Sequence, residues 1–147
     1  MTRVDFYILS DVGQDARWRF ACRLAYKALT SGQHIHVHTS DANQQQSVDQ
    51  LMWSYPEHQF LPHACANGSD ELNEQTVPII IGYEQPQEHF DQVLINLDES
   101  VPGFFGRFER VIEIIVDSVK SEGRDKYKYY RDRGYPLFHH DMEDWDD

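Results

Sequence analysis

Short apolar runs and segments with helical spacing alternate along the chain. Runs typical of strands buried on both faces lie at residues 4–9, 78–82, 93–97 and 111–116. Apolar side chains recur at helical spacing after the first run: Trp18, Cys22, Ala25 and Leu29. This spacing predicts a helix over residues 14–31, which Gly32 is suited to end.

The remaining segments continue the alternation of strands and helices. Residues 43–54 and a segment from Asp117 or Ser118 to Arg133 are predicted to form the second and third helices. Shorter elements are predicted as a strand at 34–38, an extended segment or strand at 60–63, a polar loop at 64–76 and a short helix at 103–108. Together they predict an α/β layer fold with a largely parallel central sheet.

Length and composition indicate one ordinary globular domain. The chain has 147 residues, of which 40% are apolar and 13% aromatic. Two cysteines favour an intracellular protein with reduced thiols, and no apolar run is long enough to span a membrane. The net charge of −12 argues against direct binding of nucleic acid by the protein as a whole.

Charge is unevenly distributed near the C-terminal end of the sequence. Residues 120–133 contain six basic and three acidic side chains, a local charge of +3. Residues 139–147 contain five acids and no Lys or Arg, so the sequence predicts a domain over 1–138 and a flexible acidic tail over 139–147. The tail contains Trp145 among its acids and is either a disordered solubilising segment or a weak competitor for a basic site.

Phosphate-binding and catalytic motifs are missing from the sequence. The turn after the first strand, residues 10–16, contains neither G-x-G-x-x-G nor G-x-x-x-x-G-K-[ST], and the chain has no G-x-S-x-G, H-E-x-x-H or C-x-x-C. Cys22 is expected to be a core residue. The pairs Ser10-Asp11 and Ser40-Asp41 follow strands, where α/β active sites lie, but both also suit helix capping. A small nucleotide- or metal-binding α/β enzyme is therefore the alternative class of function.

Three histidines at alternating positions are one candidate metal site. His34, His36 and His38 would share one face of a strand, with His63 and Cys65 as further candidate ligands. Successive side chains on one strand face are about 7 Å apart, which is too far for three of them to reach one ion. The simpler interpretation places the intervening Ile35 and Val37 in the core and the histidines on a polar strand face.

Two surfaces are candidates for binding other proteins. Trp53 and Phe60 flank a proline-containing loop and form either an exposed aromatic patch or part of the core. Basic side chains at spacings of four, four and three form a stripe on the last helix, with Tyr127 beside it: Lys120, Arg124, Lys128 and Arg131. Such a stripe suits an acidic peptide with an apolar side chain, although a solvated helix face has the same pattern.

Two motifs make the chain resemble a known family. W-x2-P-x3-F-x-P-H consists here of Trp53, Pro56, Phe60, Pro62 and His63. R-x2-Y-K-x-Y-R-x2-G consists of Arg124, Tyr127, Lys128, Tyr130, Arg131 and Gly134. With the segments VDFYIL and FERVIEIIV, they resemble the chi subunit of bacterial DNA polymerase III over residues 3–137.

This resemblance implies a Rossmann-like three-layer fold without a nucleotide-binding loop, cofactor, metal or catalytic activity of its own. It implies a cytoplasmic accessory subunit of the clamp-loader complex, which bridges the psi subunit to the acidic C-terminal tail of single-stranded-DNA-binding protein (SSB). The implied psi-binding residues are Trp53, Pro56, Phe60 and Pro62. The implied tail-binding residues are Arg124, Tyr127, Lys128, Lys120, Ile115 and Arg131.

Overall fold

A computed structural model describes most of the chain. The described residues are 2–9, 13–54, 62–66, 77–86, 91–116 and 119–142. The predictions made for Ser10, Asp11, Asp117 and Ser118 lie outside these residues.

The predicted strands and helices occur in the predicted order, and one further strand follows the last helix. The strands are Arg3–Leu9 (β1), Ile35–His38 (β2), His63–Cys65 (β3), Ile79–Gly82 (β4), Val93–Asn96 (β5), Arg110–Ile115 (β6) and Leu137–Met142 (β7). The helices are Gln14–Thr30 (α1), Ala42–Ser54 (α2) and Lys120–Asp132 (α3), with a 3-10 turn at Phe105–Arg107. β3 includes Ala64 and Cys65, which the sequence assigned to a loop, and the 3-10 turn is shorter than the helix predicted at 103–108.

The described strands form one seven-stranded sheet in the order β3-β4-β2-β5-β6-β1-β7, and its strand pairs are parallel. Adjacent side chains of β1 point to opposite faces: Tyr7 packs on Phe20 of α1, with ring centroids 5.3 Å apart, and Phe6 packs on Tyr130 of α3, at 6.0 Å. α2 contacts α1 and lies on the same face. The prediction of a three-layer α/β fold is confirmed. None of the described helices is both long and apolar enough to cross a membrane.

Local sequence signals explain where α1 ends, where α2 begins and why Cys22 is in the core. Gly32 has a φ of +79°, a left-handed conformation that ends α1 at little steric cost. Asp41 caps α2 through its Oδ1, which accepts a 2.8 Å hydrogen bond from the backbone N–H of Gln44. The Cys22 side chain is fully buried in the core, and this burial raises its pKa to about 12. The capping role of Asp41 and the core position of Cys22 are thus confirmed.

The C-terminal boundary predicted at residue 138 is wrong. Residues 139–142 belong to β7, which pairs with β1 from Val4↔Leu137 to Leu9↔Met142. His140 Nε2 lies 2.9 Å from Oδ1 of the buried Asp5 and fixes this edge strand. An edge strand is open to solvent and tolerates polar residues, so β7 lacks the apolar run that identified the inner strands. Residues 143–147 lie outside the described part of the chain.

The prediction of a polar histidine face on β2 is also wrong. All four residues of this central strand are buried, with His36 only 1% exposed, because both faces of the sheet are covered. The ring of His36 packs against Phe104 and Phe108, at centroid distances of 5.9 and 6.3 Å. His34 precedes the strand and is half-buried. Among the described residues, no group of three His, Cys, Asp or Glu side chains is placed to hold a metal ion.

Candidate functional site

A cleft of about 540 Å³ lies between α3 and the strands β1, β6 and β7. All six residues predicted for tail binding line it: Ile115, Lys120, Arg124, Tyr127, Lys128 and Arg131. The other lining residues are Phe6, Ile8, Gly123 and His139. Residues far apart in the sequence therefore meet in one concave site.

Gly123 allows the helix to approach the sheet closely at this cleft. A Cβ atom at this position would lie 2.8 Å from Cδ1 of Ile115, closer than such atoms can normally approach. α3 therefore lies directly over the end of β6. Further along the helix, the Tyr127 ring meets Phe6 edge to face at 5.6 Å and stacks on His139 at 4.9 Å. These contacts give the cleft an apolar floor and one aromatic wall.

A buried polar network fixes the rotation of α3 about its axis. The carboxylate of Glu113, fully buried on β6, accepts hydrogen bonds from Lys126 Nζ at 3.0 Å, Tyr130 Oη at 2.6 Å and Asn96 Nδ2 at 2.9 Å. Burial, and to a lesser degree the Glu113 carboxylate, raises the pKa of the Tyr130 hydroxyl well above its usual range. The charge of Lys126 hid this inward position from the sequence analysis.

With Lys126 facing inward, its basic neighbours face solvent around the cleft. Residues two positions away on a helix point in nearly opposite directions, so Arg124 and Lys128 are exposed. Neither forms an ion pair with any residue that the structure describes. Arg131 contacts Asp132 at 3.4 Å, but both side chains are more than half exposed, so water screens this pair strongly. The cleft thus combines an apolar floor with a cationic rim, which suits an acidic peptide carrying an apolar side chain.

Trp53 lies on a second surface, at the end of α2. This residue is 61% exposed, so the alternative that placed it in the core is wrong. The indole packs against the imidazole of His63 on β3, with ring centroids 4.6 Å apart. Pro62 is half-buried immediately before β3. The other two residues predicted for this surface, Pro56 and Phe60, lie outside the described residues.

The cleft and Trp53 are far apart in the fold. α2 packs on β3 and β4 at one edge of the sheet, whereas the cleft lies over β6, β1 and β7 at the other. Five strand intervals separate β3 from β1, a distance of about 24 Å. The two sites also lie on opposite faces, since α2 and α3 cover different sides of the sheet. A ligand at one site would leave the other accessible.

The sequence is similar to proteins of one family over nearly its whole length. Residues 1–138 match the model of the family described as DNA polymerase III chi subunit, HolC. The DNA polymerase III subunit chi of Pseudomonas aeruginosa is 37% identical over 142 residues, which are 95% of this chain and 96% of that protein. Proteins of the same name from Haemophilus influenzae and Escherichia coli are 29% and 28% identical, over 90% and 93% of this chain and 92% and 96% of their own length.

Solved structures of unrelated sequence share the fold. The crystal structure of T4 UvsW superposes with a TM-score of 0.69 at 10% identity, over 96% of this chain and 41% of that one. The Mss116p DEAD-box helicase domain 2 bound to an RNA duplex gives a TM-score of 0.65 at 8% identity, over 95% of this chain and 64% of that one. This chain therefore spans less than two thirds of either structure, and at such low identity the likeness shows the fold alone.

Proposed function

The chain belongs to the DNA polymerase III chi subunit family, and from this premise we propose that it is a non-catalytic accessory subunit bridging psi to SSB within the clamp-loader complex. The cleft binds the acidic C-terminal tail of SSB, and the surface around Trp53 binds psi. The observation that carries this proposal is the convergence of four cationic side chains and an apolar floor in a single cleft.

The chemistry of the cleft matches each part of an acidic peptide that ends in an apolar residue. The guanidinium of Arg124 can donate two parallel hydrogen bonds to one carboxylate, which fixes the orientation of the peptide as well as neutralising its charge. The apolar side chain is buried against Ile115 and Tyr127. The remaining cations attract the peptide from a distance and raise its association rate, so binding weakens as salt is added.

The position of Trp53 supports a separate psi surface. An exposed tryptophan at a helix end is a typical binding hot spot, because its large ring is desolvated when a partner covers it. Because the cleft lies at the opposite edge of the sheet, psi and the SSB tail can bind at the same time. Simultaneous binding is what a bridging subunit requires.

Two alanine variants test the bridge. Arg124→Ala should weaken binding of an SSB C-terminal peptide by roughly 10- to 150-fold, the usual worth of a hydrogen bond to a charged group, and leave psi binding nearly unchanged. Trp53→Ala should weaken psi binding by about 30-fold or more and leave the peptide affinity nearly unchanged. Both ligands are titrated against each variant by isothermal calorimetry.

Lys27→Ala is the matched control for the charge change. Lys27 is exposed near the end of α1, on the face of the sheet opposite α3, so its removal changes the net charge equally but leaves the cleft intact. It should alter either affinity by less than about twofold. Equal losses for both ligands in Arg124→Ala, or a Lys27→Ala loss as large as that of Arg124→Ala, would refute the two-surface proposal.

A further inference from the structure

We infer that residues 143–147 of this chain, Glu-Asp-Trp-Asp-Asp, dock in the cleft between α3 and the sheet and compete there with an incoming acidic peptide. The competition, unlike the docking itself, rests on the proposed function of the cleft.

The course of β7 carries the chain to the cleft. α3 runs antiparallel to β6 and β7, so the last residues of β7 lie level with the first turns of the helix, which carry Lys120 and Arg124. Part of β7 already belongs to the site, because His139 lines the cleft and stacks on Tyr127. A segment that follows α3 must turn back to reach the first turns of that helix, and β7 provides this reversal.

The distance from the end of β7 to the cleft floor is within reach of five residues. Asp141 pairs with Ile8 of β1, Ile8 pairs with Ile115 of β6, and Gly123 lies directly over Ile115. Two strand spacings thus separate the end of β7 from Ile115, about 10 Å. Five extended residues span about 16 Å, so the segment after Met142 can cross the floor without moving any strand.

The segment is complementary to the cleft in charge and polarity. Its four carboxylates (Glu143, Asp144, Asp146 and Asp147) match a rim of four cations, of which Arg124 and Lys128 have no ionic partner among the described residues. Trp145 is its one apolar side chain and stands between two pairs of acids. The indole can lie against Ile8, Ile115 and Tyr127 while the acids on either side meet the rim.

Tethering makes even weak docking effective. A short flexible link gives an effective concentration in the millimolar range, so a segment with millimolar affinity in trans occupies the cleft for a substantial fraction of the time. A competing peptide then binds more weakly in inverse proportion to the fraction of clefts that remain free. We expect a variant that ends at Met142 to bind the SSB C-terminal peptide about 3- to 10-fold more tightly at low salt, with the gain disappearing at high salt.

Docking is measured directly by comparing amide NMR spectra of the full chain and of the variant that ends at Met142, which keeps every described residue. The expected shift differences cluster at cleft residues such as Gly123, Arg124 and Tyr127 and shrink at high salt. A synthetic peptide of residues 143–147 added to the shortened variant should reproduce their direction. Differences confined to the last residues of β7 would overturn the inference.

Trp145→Ala in the full chain is the matched control, because it removes the apolar group and keeps all four charges. It should give part of the gain in peptide affinity; a gain seen only on truncation would indicate a long-range charge effect and contradict docking. Concentration-dependent shifts with a dimer in sedimentation would place the segment in a second copy, which also contradicts it. If the SSB peptide binds neither form, the proposed function fails, while the amide shifts still decide whether the segment docks.

Discussion

The cleft and the Trp53 surface lie at opposite edges of one sheet, and their side chains are supported differently. The cleft is made by regular elements: its floor, Ile8 and Ile115, continues the core, and its cations stand on a helix fixed from below by Glu113. Trp53 instead projects from the last turn of α2 and touches the body of the domain through His63. The first site therefore depends on the core for its geometry, whereas the described part of the second is centred on an exposed ring.

The buried polar groups in the sheet differ as well. On the cleft side, Glu113 is hydrogen-bonded to three side chains. On β2, in the middle of the sheet, both ring nitrogens of His36 and Nδ1 of His38 are buried without a hydrogen-bond partner among the described residues. Burying a polar group costs little free energy only when the group is hydrogen-bonded. We therefore expect the loss of a Glu113 partner to destabilise the protein, and the replacement of the His36 ring by an apolar ring to favour the folded state at low pH.

The largest effect is expected from Lys126→Met. Replacing this lysine leaves Glu113 as a buried carboxylate without its cation, which costs about 3–5 kcal/mol of unfolding free energy. Urea denaturation measures the loss. Lys128→Met is the matched control, since the same change at an exposed position of the same helix should alter stability by about 0.5 kcal/mol or less. Similar midpoints for the two variants would contradict the idea that the cleft helix is fixed from the core.

A second prediction concerns acid stability on the side of β2. Burial, with smaller contributions from His38 and Arg107, lowers the pKa of His36 to about 3 from 6.5. The unfolded chain therefore takes up a proton below about pH 6.5 that the folded chain does not, and stability falls as the pH is lowered. Between pH 7 and pH 5 this amounts to about 2 kcal/mol.

His36→Phe removes the titrating ring and keeps an aromatic side chain of similar size. The difference in unfolding free energy between this variant and the wild type should therefore shift by about 2 kcal/mol in favour of the variant between pH 7 and pH 5. Denaturation curves at the two pH values measure the shift. A constant difference would mean that His36 takes up its proton as readily in the folded protein as in the unfolded chain.

The third prediction concerns the close contact that shapes the cleft. Gly123→Ala brings a methyl group against Ile115, a strain of about 1–3 kcal/mol, while alanine favours the helix by about 0.5–1 kcal/mol. We expect a net loss of about 1–2 kcal/mol of stability, together with weaker peptide binding as α3 moves outward. Ile115→Val removes the closest methyl group, so the double variant should be less destabilised than the two single losses predict. Strict additivity would show that the two residues are not in strained contact.

Much of the cleft could be predicted from the sequence, because its cations follow helical spacing. The spacing of Lys120, Arg124, Lys128 and Arg131 requires only that the segment be a helix, and the motif containing Tyr127 pointed to the same face. The inner strands were equally clear, since strands buried on both faces are continuous apolar runs. Both signals are local in the sequence.

What the sequence could not show depends on tertiary contacts. Lys126 has the helical spacing of an inward position, three residues after Gly123 and four before Tyr130, but its burial depends on Glu113, thirteen residues earlier, which supplies the counter-charge. His36 is buried because β2 lies in the middle of the sheet, which only the strand order reveals. Residues 139–142 of β7 were assigned to a tail, because an edge strand can carry polar residues and then lacks a continuous apolar run.

The smallest effect is expected from Trp53→Ala, which tests the other edge of the sheet. Because Trp53 is 61% exposed, truncating its side chain should cost about 1 kcal/mol of stability or less. The adjacent Met52 is 1% exposed on the same helix, so Met52→Ala should cost about 2–5 kcal/mol. Urea denaturation of the two variants compares a surface and a core position one residue apart. A loss for Trp53→Ala as large as that for Met52→Ala would mean that the ring supports the fold, and a release of psi by this variant would then no longer identify a binding surface.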